Sequence, residues 1–148
     1  MRHAIVADMD NELIDLLRTV ANGFHLRMQA QVAASGTGLP EFQARLINLI
    51  GRNEGISQQA LAALTERDKA QIARAIKDLE AHGHVSRHAH ASDWRTQCLA
   101  LTAKGKATHA RQNDMRQKLG VAALSSLTNE EKHVLKACLS KVQATLEE

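Results

Sequence analysis

Residues 57–83 read Ser57-Gln58-Gln59-Ala60-Leu61-Ala62-Ala63-Leu64-Thr65-Glu66-Arg67-Asp68-Lys69-Ala70-Gln71-Ile72-Ala73-Arg74-Ala75-Ile76-Lys77-Asp78-Leu79-Glu80-Ala81-His82-Gly83. Ser57 is a good helix N-cap, because its side-chain oxygen can take an otherwise unpaired N–H of the first turn. A short helix is therefore predicted from Ser57 through Leu64. Asp68 offers a second N-cap, and Ile72, Ile76 and Leu79 recur at steps of four and three, so a further helix runs to about His82 with those residues inward. Gly83 then stands where a left-handed residue ends the helix. Two short helices joined by a tight turn read as a helix-turn-helix.

Working outward, Ile56 suits a very short strand before Ser57, and Asn53-Glu54-Gly55 ends the preceding helix. Pro40 is expected in the first turn of that helix, where its missing N–H costs nothing. The helix reaches about Arg52 and buries Phe42, Leu46, Ile47 and Ile50. Ala34-Ser35-Gly36-Thr37-Gly38 is a Gly-rich joint. Before it, Leu13, Leu17, Val20, Phe24 and Met28, widened by Leu16 and Ala21, form the apolar stripe of one long helix over roughly residues 8–34.

Beyond Gly83 the period changes to two. Val85 and Arg87 alternate with Ser86 and His88, a polar tip follows at His90-Ala91-Ser92-Asp93, and residues 96–101 alternate again. That pattern is a β-hairpin. Thr102 caps a fifth helix, and Thr128-Asn129-Glu130-Glu131 is a capping box opening a sixth. In the sixth, Leu135, Leu139, Val142 and Leu146 make an apolar stripe with Cys138 beside it. The fold class is thus mostly α with a small β-hairpin wing, a winged helix-turn-helix core flanked by N- and C-terminal helices. We take residues 1–148 as a single domain, with 38–106 the DNA-binding core and 8–34 and 107–148 the dimerisation helices. The flanking stripes have little within one chain to bury them, which favours an isologous homodimer.

Composition agrees. The chain has one proline, two Phe, one Trp and no Tyr, so its core is aliphatic and long helices meet almost no breaker. Net charge is only +3, but residues 67–106 hold eight Lys or Arg against four Asp or Glu, so the rest carries −1. Concentrating the excess in the hairpin region favours a polyanionic partner there. Cys98 and Cys138 are isolated, with no CxxC spacing, and no stretch approaches 18 apolar residues. A cytoplasmic protein with free thiols and no membrane partner is expected.

The string Ser57-Gln-Gln-Ala-Leu-Ala, then Asp68 through Gly83, then Asp93-Trp94-Arg95, then Leu101-Thr-Ala-Lys-Gly105 resembles the MarR family of winged helix-turn-helix regulators in order and spacing. The resemblance covers residues 57–105. It implies a dimeric transcription regulator, usually a repressor, often released from DNA by a small molecule or an oxidant. Two departures stand out: His84 occupies a position usually aliphatic, and Glu66-Arg67 replaces a Gly-containing turn. Oxidant-sensing members place a cysteine in the N-terminal helix, where this chain has none.

The helix opened by Asp68 is the expected recognition helix. Lys69, Gln71, Arg74 and Lys77 lie opposite the apolar stripe, and Arg and Gln suit guanine and adenine edges in the major groove. Ser57 joins them at the start of the preceding helix. In the wing the resemblance assigns Arg95 to the minor groove, with Asp93 as its support, and Arg87, His88 and His90 would flank phosphates. The bland reading is that Asp93 only holds the turn. His88 and His90 could chelate a metal, but no cysteine or paired carboxylate completes a set, so no metal and no cofactor are expected. Cys138 is read as a small buried hydrophobe. Phe24, Met28 and Phe42 are candidate linings of an effector pocket, although they serve equally as core.

Nothing points to catalysis: there is no phosphate-binding loop, no H-E-x-x-H and no nucleophile elbow. The reading is a sequence-specific regulator, not an enzyme, binding a palindromic operator in double-stranded DNA as a homodimer and answering to a small-molecule effector. The alternative is a winged-helix module that meets another protein and not DNA.

Overall fold

The computed structural model describes residues 2–148, with side chains from residue 8 onward. The helices are α1 (Arg2–Ala34), α2 (Glu41–Arg52), α3 (Gln58–Thr65), α4 (Lys69–Ala81), α5 (Ala103–Ala123) and α6 (Asn129–Leu146). Strands β1 (Val85–Ala89) and β2 (Gln97–Leu101) stand between α4 and α5. The protein is therefore mostly α with one two-stranded antiparallel hairpin, as expected. The chain divides into two compact units, one reaching Met115 and the other running from Arg116.

In the first unit, Leu46, Ile47 and Ile50 from α2, Leu61 from α3, Ile72, Ile76 and Leu79 from α4 and Leu99 from β2 are almost wholly removed from water. Each large aliphatic side chain buried this way contributes about 1.5–3 kcal/mol of transfer free energy. Phe42 is only half-buried and packs against this core from outside. The amide of Gln112 on α5 donates to the Ala44 carbonyl on α2 at 3.2 Å. At Gly51 a Cβ would stand 2.6 Å from the His109 ring, so α2 and α5 approach closely only because glycine is there.

Two expected boundaries shift. Helix α1 begins at Arg2, six residues before the anticipated start, because the apolar stripe marks a buried or partnered face and not the helix end. Pro40 lies just outside α2 with φ −57 and ψ 146, so it precedes the first turn and does not form it. Its carbonyl still accepts the Ala44 N–H at 3.0 Å. Glu41 then ties α2 to α1 through a contact with His25 Nε2 at 3.1 Å and a hydrogen bond from Gln29.

The second unit holds the end of α5 and all of α6. Thr128 accepts the Glu131 N–H at 3.2 Å while Glu131 accepts the Thr128 N–H at 2.8 Å, the reciprocal capping box. Leu135, Leu139, Val142 and Leu146 are exposed in the single chain, and so is Cys138, which is not the buried hydrophobe expected. Leu13, Leu17 and Val20 of α1 are likewise about half exposed.

Candidate nucleic-acid interface

Local capping positions the two helices. Ser57 Oγ accepts the Ala60 N–H at 3.1 Å and Asp68 Oδ1 accepts the Gln71 N–H at 2.8 Å. Ser57 thus spends its side chain on the cap of α3. The turn between the helices is made without glycine: Glu66 sits in the left-handed region at φ 53. Beside it the Arg67 guanidinium lies 4.8 Å from the Phe42 ring centroid, pinning the turn to α2. This pair replaces the glycine turn that the resemblance led one to expect.

Helix α4 presents Lys69, Gln71, Arg74 and Lys77 to solvent while Ile72, Ala75, Ile76 and Leu79 are buried. Its first N–H groups and positive dipole end suit a phosphate or base acceptor. Gln58 and Gln59, at the start of α3, line a shallow depression of about 200 Å³ together with Lys69. These two amides had not been singled out, though their place directly after the Ser57 cap is a usable signal.

The hairpin pairs Val85 with Leu101 through Ala89 with Gln97. A bridge between Ser57 and Cys98, with Leu99 N–H donating to the Ile56 carbonyl at 2.8 Å, fastens the wing to the start of α3. The short strand expected at Ile56 is reduced to this single bridge at Ser57, and the sheet has two strands. At the tip, Asp93 accepts the backbone N–H of Arg95 at 3.0 Å and the Thr96 hydroxyl at 3.2 Å. Asp93 holds the turn, and its contact to Arg95 is through the backbone. The guanidinium itself is exposed, 5.4 Å from the ring centroid of Trp94, which is 76% exposed.

The remaining wing residues have partners within the chain. The Arg87 guanidinium pairs with Glu80 of α4 and reaches Gln97 Oε1 at 3.4 Å, so it braces the wing on α4. His88 meets the Ser86 hydroxyl at 2.9 Å, and His90 Nδ1 takes the Ser92 N–H at 3.1 Å. Among the described residues no group of three His, Cys, Asp or Glu is placed to hold a metal. Phe24 and Met28 are half-buried on α1, and Phe42 serves the core and Arg67. No helix is long and apolar enough to cross a membrane, of those described.

Comparison with known proteins matches residues 36–96 to the MarR family. The HTH-type transcriptional regulator BilQ of Clostridium symbiosum is 36% identical over 98 residues, which is 66% of this chain and 68% of that protein. Among solved structures, the transcriptional regulator SlyA superposes with a TM-score of 0.70 at 26% identity, covering 89% of this chain and 94% of that one. A MarR-family regulator of Listeria monocytogenes, solved with a 26mer DNA, shares the fold at TM-score 0.72 and 23% identity, covering 88% and 87%.

Proposed function

Since the chain belongs to the MarR family of transcriptional regulators, we propose that it is a cytoplasmic repressor that binds a palindromic operator as a homodimer and leaves it when a small effector binds. The observation that carries this reading is α4, whose N-terminus is capped by Asp68 and whose basic face is open to solvent. Arg74 and Lys77 lie on the side of α4 away from the buried stripe, where a major groove would meet them. Lys69 and Gln71 flank them at the helix start. Arg95, held out by the Asp93 turn, enters the adjoining minor groove, where a narrow groove attracts guanidinium. Arg87 acts at one remove, by fixing the wing against Glu80.

Dimerisation follows from the half-exposed aliphatic stripes of α1 and α6. Stripes of that length favour a second copy over water. A dimer presents two α4 helices to half-sites about one helical turn apart.

The test is fluorescence anisotropy of a labelled duplex from the gene's upstream region against a scrambled duplex, at two salt concentrations. Preference for the native duplex and a log-log salt slope of about −0.9 per phosphate neutralised are expected. Arg74→Ala should weaken binding by about tenfold and relax base preference. Weak, salt-insensitive binding to both duplexes would overturn the operator reading in favour of a protein-binding winged helix.

A further inference from the structure

Where α4 gives way to β1, its last residues meet the α1–α2 joint and the start of α5 around a cavity of about 540 Å³. One wall is the Ser35–Gly38 joint, with Gly36 and Gly38 at φ +70 and +66. The opposite wall is one face of α5, from which Lys104 and Arg111 project at a spacing of seven. His82 and His84 complete it. Every titratable side chain on the wall is basic. Two carboxylates stand close by without lining it: Asp78 accepts from Gln43 Nε2, on the cavity wall, at 3.3 Å, and Asp114 lines a smaller cavity of about 160 Å³ that also includes Arg111.

His84 is the informative residue. It is 6% exposed, yet its Nδ1 is enclosed with no hydrogen-bond partner among the described residues. Such a group costs about 1–3 kcal/mol. Packing alone would be served by an aliphatic side chain here. The His84 ring lines the cavity, and its enclosed Nδ1 leaves Nε2 as the nitrogen a ligand could reach. Burial first, then the charges of Lys104 and His82, hold its pKa below the ordinary 6.5. An anion in the cavity would reverse that shift. Lys104 Nζ is already oriented by donating to the His82 carbonyl at 2.8 Å, which leaves two of its N–H groups available.

We propose that this cavity binds a small phosphorylated metabolite, its phosphoryl oxygens held by Lys104, Arg111 and His84 Nε2. Two fixed cations beside two imidazoles suit a group carrying nearly two negative charges. The volume falls within the range of about 300–1,000 Å³ of small-molecule sites and exceeds what a bare phosphate fills. A polar, sugar-like body would take the remainder, against the Ser35–Gly38 joint. The site touches the end of the recognition helix and the base of the wing at once. It thereby gives the effector proposed above a place and a chemistry, resting on that reading only for its effect on DNA.

Isothermal titration calorimetry on the full chain, without DNA, tests binding separately from operator recognition. The probes are ribose 5-phosphate, inorganic phosphate and ribose. Saturable binding of one ribose 5-phosphate per chain is expected, tighter than inorganic phosphate, with none for ribose. Lys104→Met and Arg111→Gln, both at exposed positions, should each weaken it about tenfold or more while leaving the circular dichroism spectrum unchanged. Absence of saturable binding, or affinity unchanged in both variants, would overturn the site. Equal affinity for phosphate and ribose 5-phosphate would overturn the metabolite.

Discussion

Gly105 is the place where one methyl group should separate this fold from a weaker one. A Cβ built there falls 2.1 Å from the carbonyl oxygen of His84 and 3.1 Å from its carbonyl carbon. Ordinary C···O contacts begin near ~3.3 Å, so the two backbones must part by about 1 Å. The obstacle is main chain, and it is already engaged: the same oxygen accepts the Thr102 N–H at 3.0 Å. Overpacking of this kind costs about 1–3 kcal/mol, and loss of the Thr102 bond adds about 1. Alanine's better helix propensity returns about 1 kcal/mol. Gly105→Ala should therefore lose about 2 kcal/mol, lowering the urea midpoint by about 1 M for a typical slope. Urea unfolding followed by circular dichroism, at one protein concentration because a dimer's stability depends on it, measures this. Gly120→Ala supplies the contrast. It lies in the same helix with nothing within 4 Å of its added methyl, and should gain about 0.5–1 kcal/mol. If Gly105→Ala matched or exceeded the parent, the close approach of the His84 backbone to α5 would be refuted.

Three further outcomes are expected. Glu66→Gly removes a left-handed non-glycine residue at φ 53 and should stabilise by about 0.5–1 kcal/mol, the unfolded-state entropy of glycine offsetting part of the gain; a lower thermal midpoint would contradict it. Asp93→Ala frees the Arg95 N–H and the Thr96 hydroxyl, so operator affinity should fall several-fold with global stability nearly unchanged. Anisotropy and urea curves on the same sample would expose the opposite pattern. His84, whose pKa lies below 6.5 in the fold, binds fewer protons than in the unfolded chain between those two values. Its contribution is therefore present above about 6.5 and lost as pH falls through the folded value. His84→Leu should flatten that part of the stability–pH curve, and parallel curves would count against it. Lys104 and His82 are the charged groups that oppose its protonation; Arg111 lines the same cavity, and Ser35–Pro40 bring no titratable side chain.

The elements that could be read from sequence are those set by neighbours a few residues apart. Ser57, Asp68 and Thr128 each cap the helix they were expected to cap, because the acceptor and its N–H lie three residues apart. The α4 stripe and the hairpin alternation were legible for the same reason. The Arg87–Glu80 ion pair could not be read from sequence, because Glu80, seven residues back, comes within reach only when β1 folds onto α4. Cys138 was misjudged because an apolar stripe does not say whether its partner lies in the same chain. The basic cavity was invisible in sequence: its walls come from residues 35–43, 82–84 and 104–111, and no local pattern joins them.

The wing tip also makes the protein its own optical probe. With no Tyr and a single Trp, almost all near-ultraviolet absorption and emission arise from Trp94, a residue in contact with solvent and with the Arg95 guanidinium. Phe24 and Phe42 are the other aromatic residues, and they add little at the wavelengths that excite Trp. Emission will therefore follow the hairpin end and nothing deeper, while circular dichroism follows the helices. A loosening of the wing ahead of global unfolding would appear as two transitions that fail to coincide.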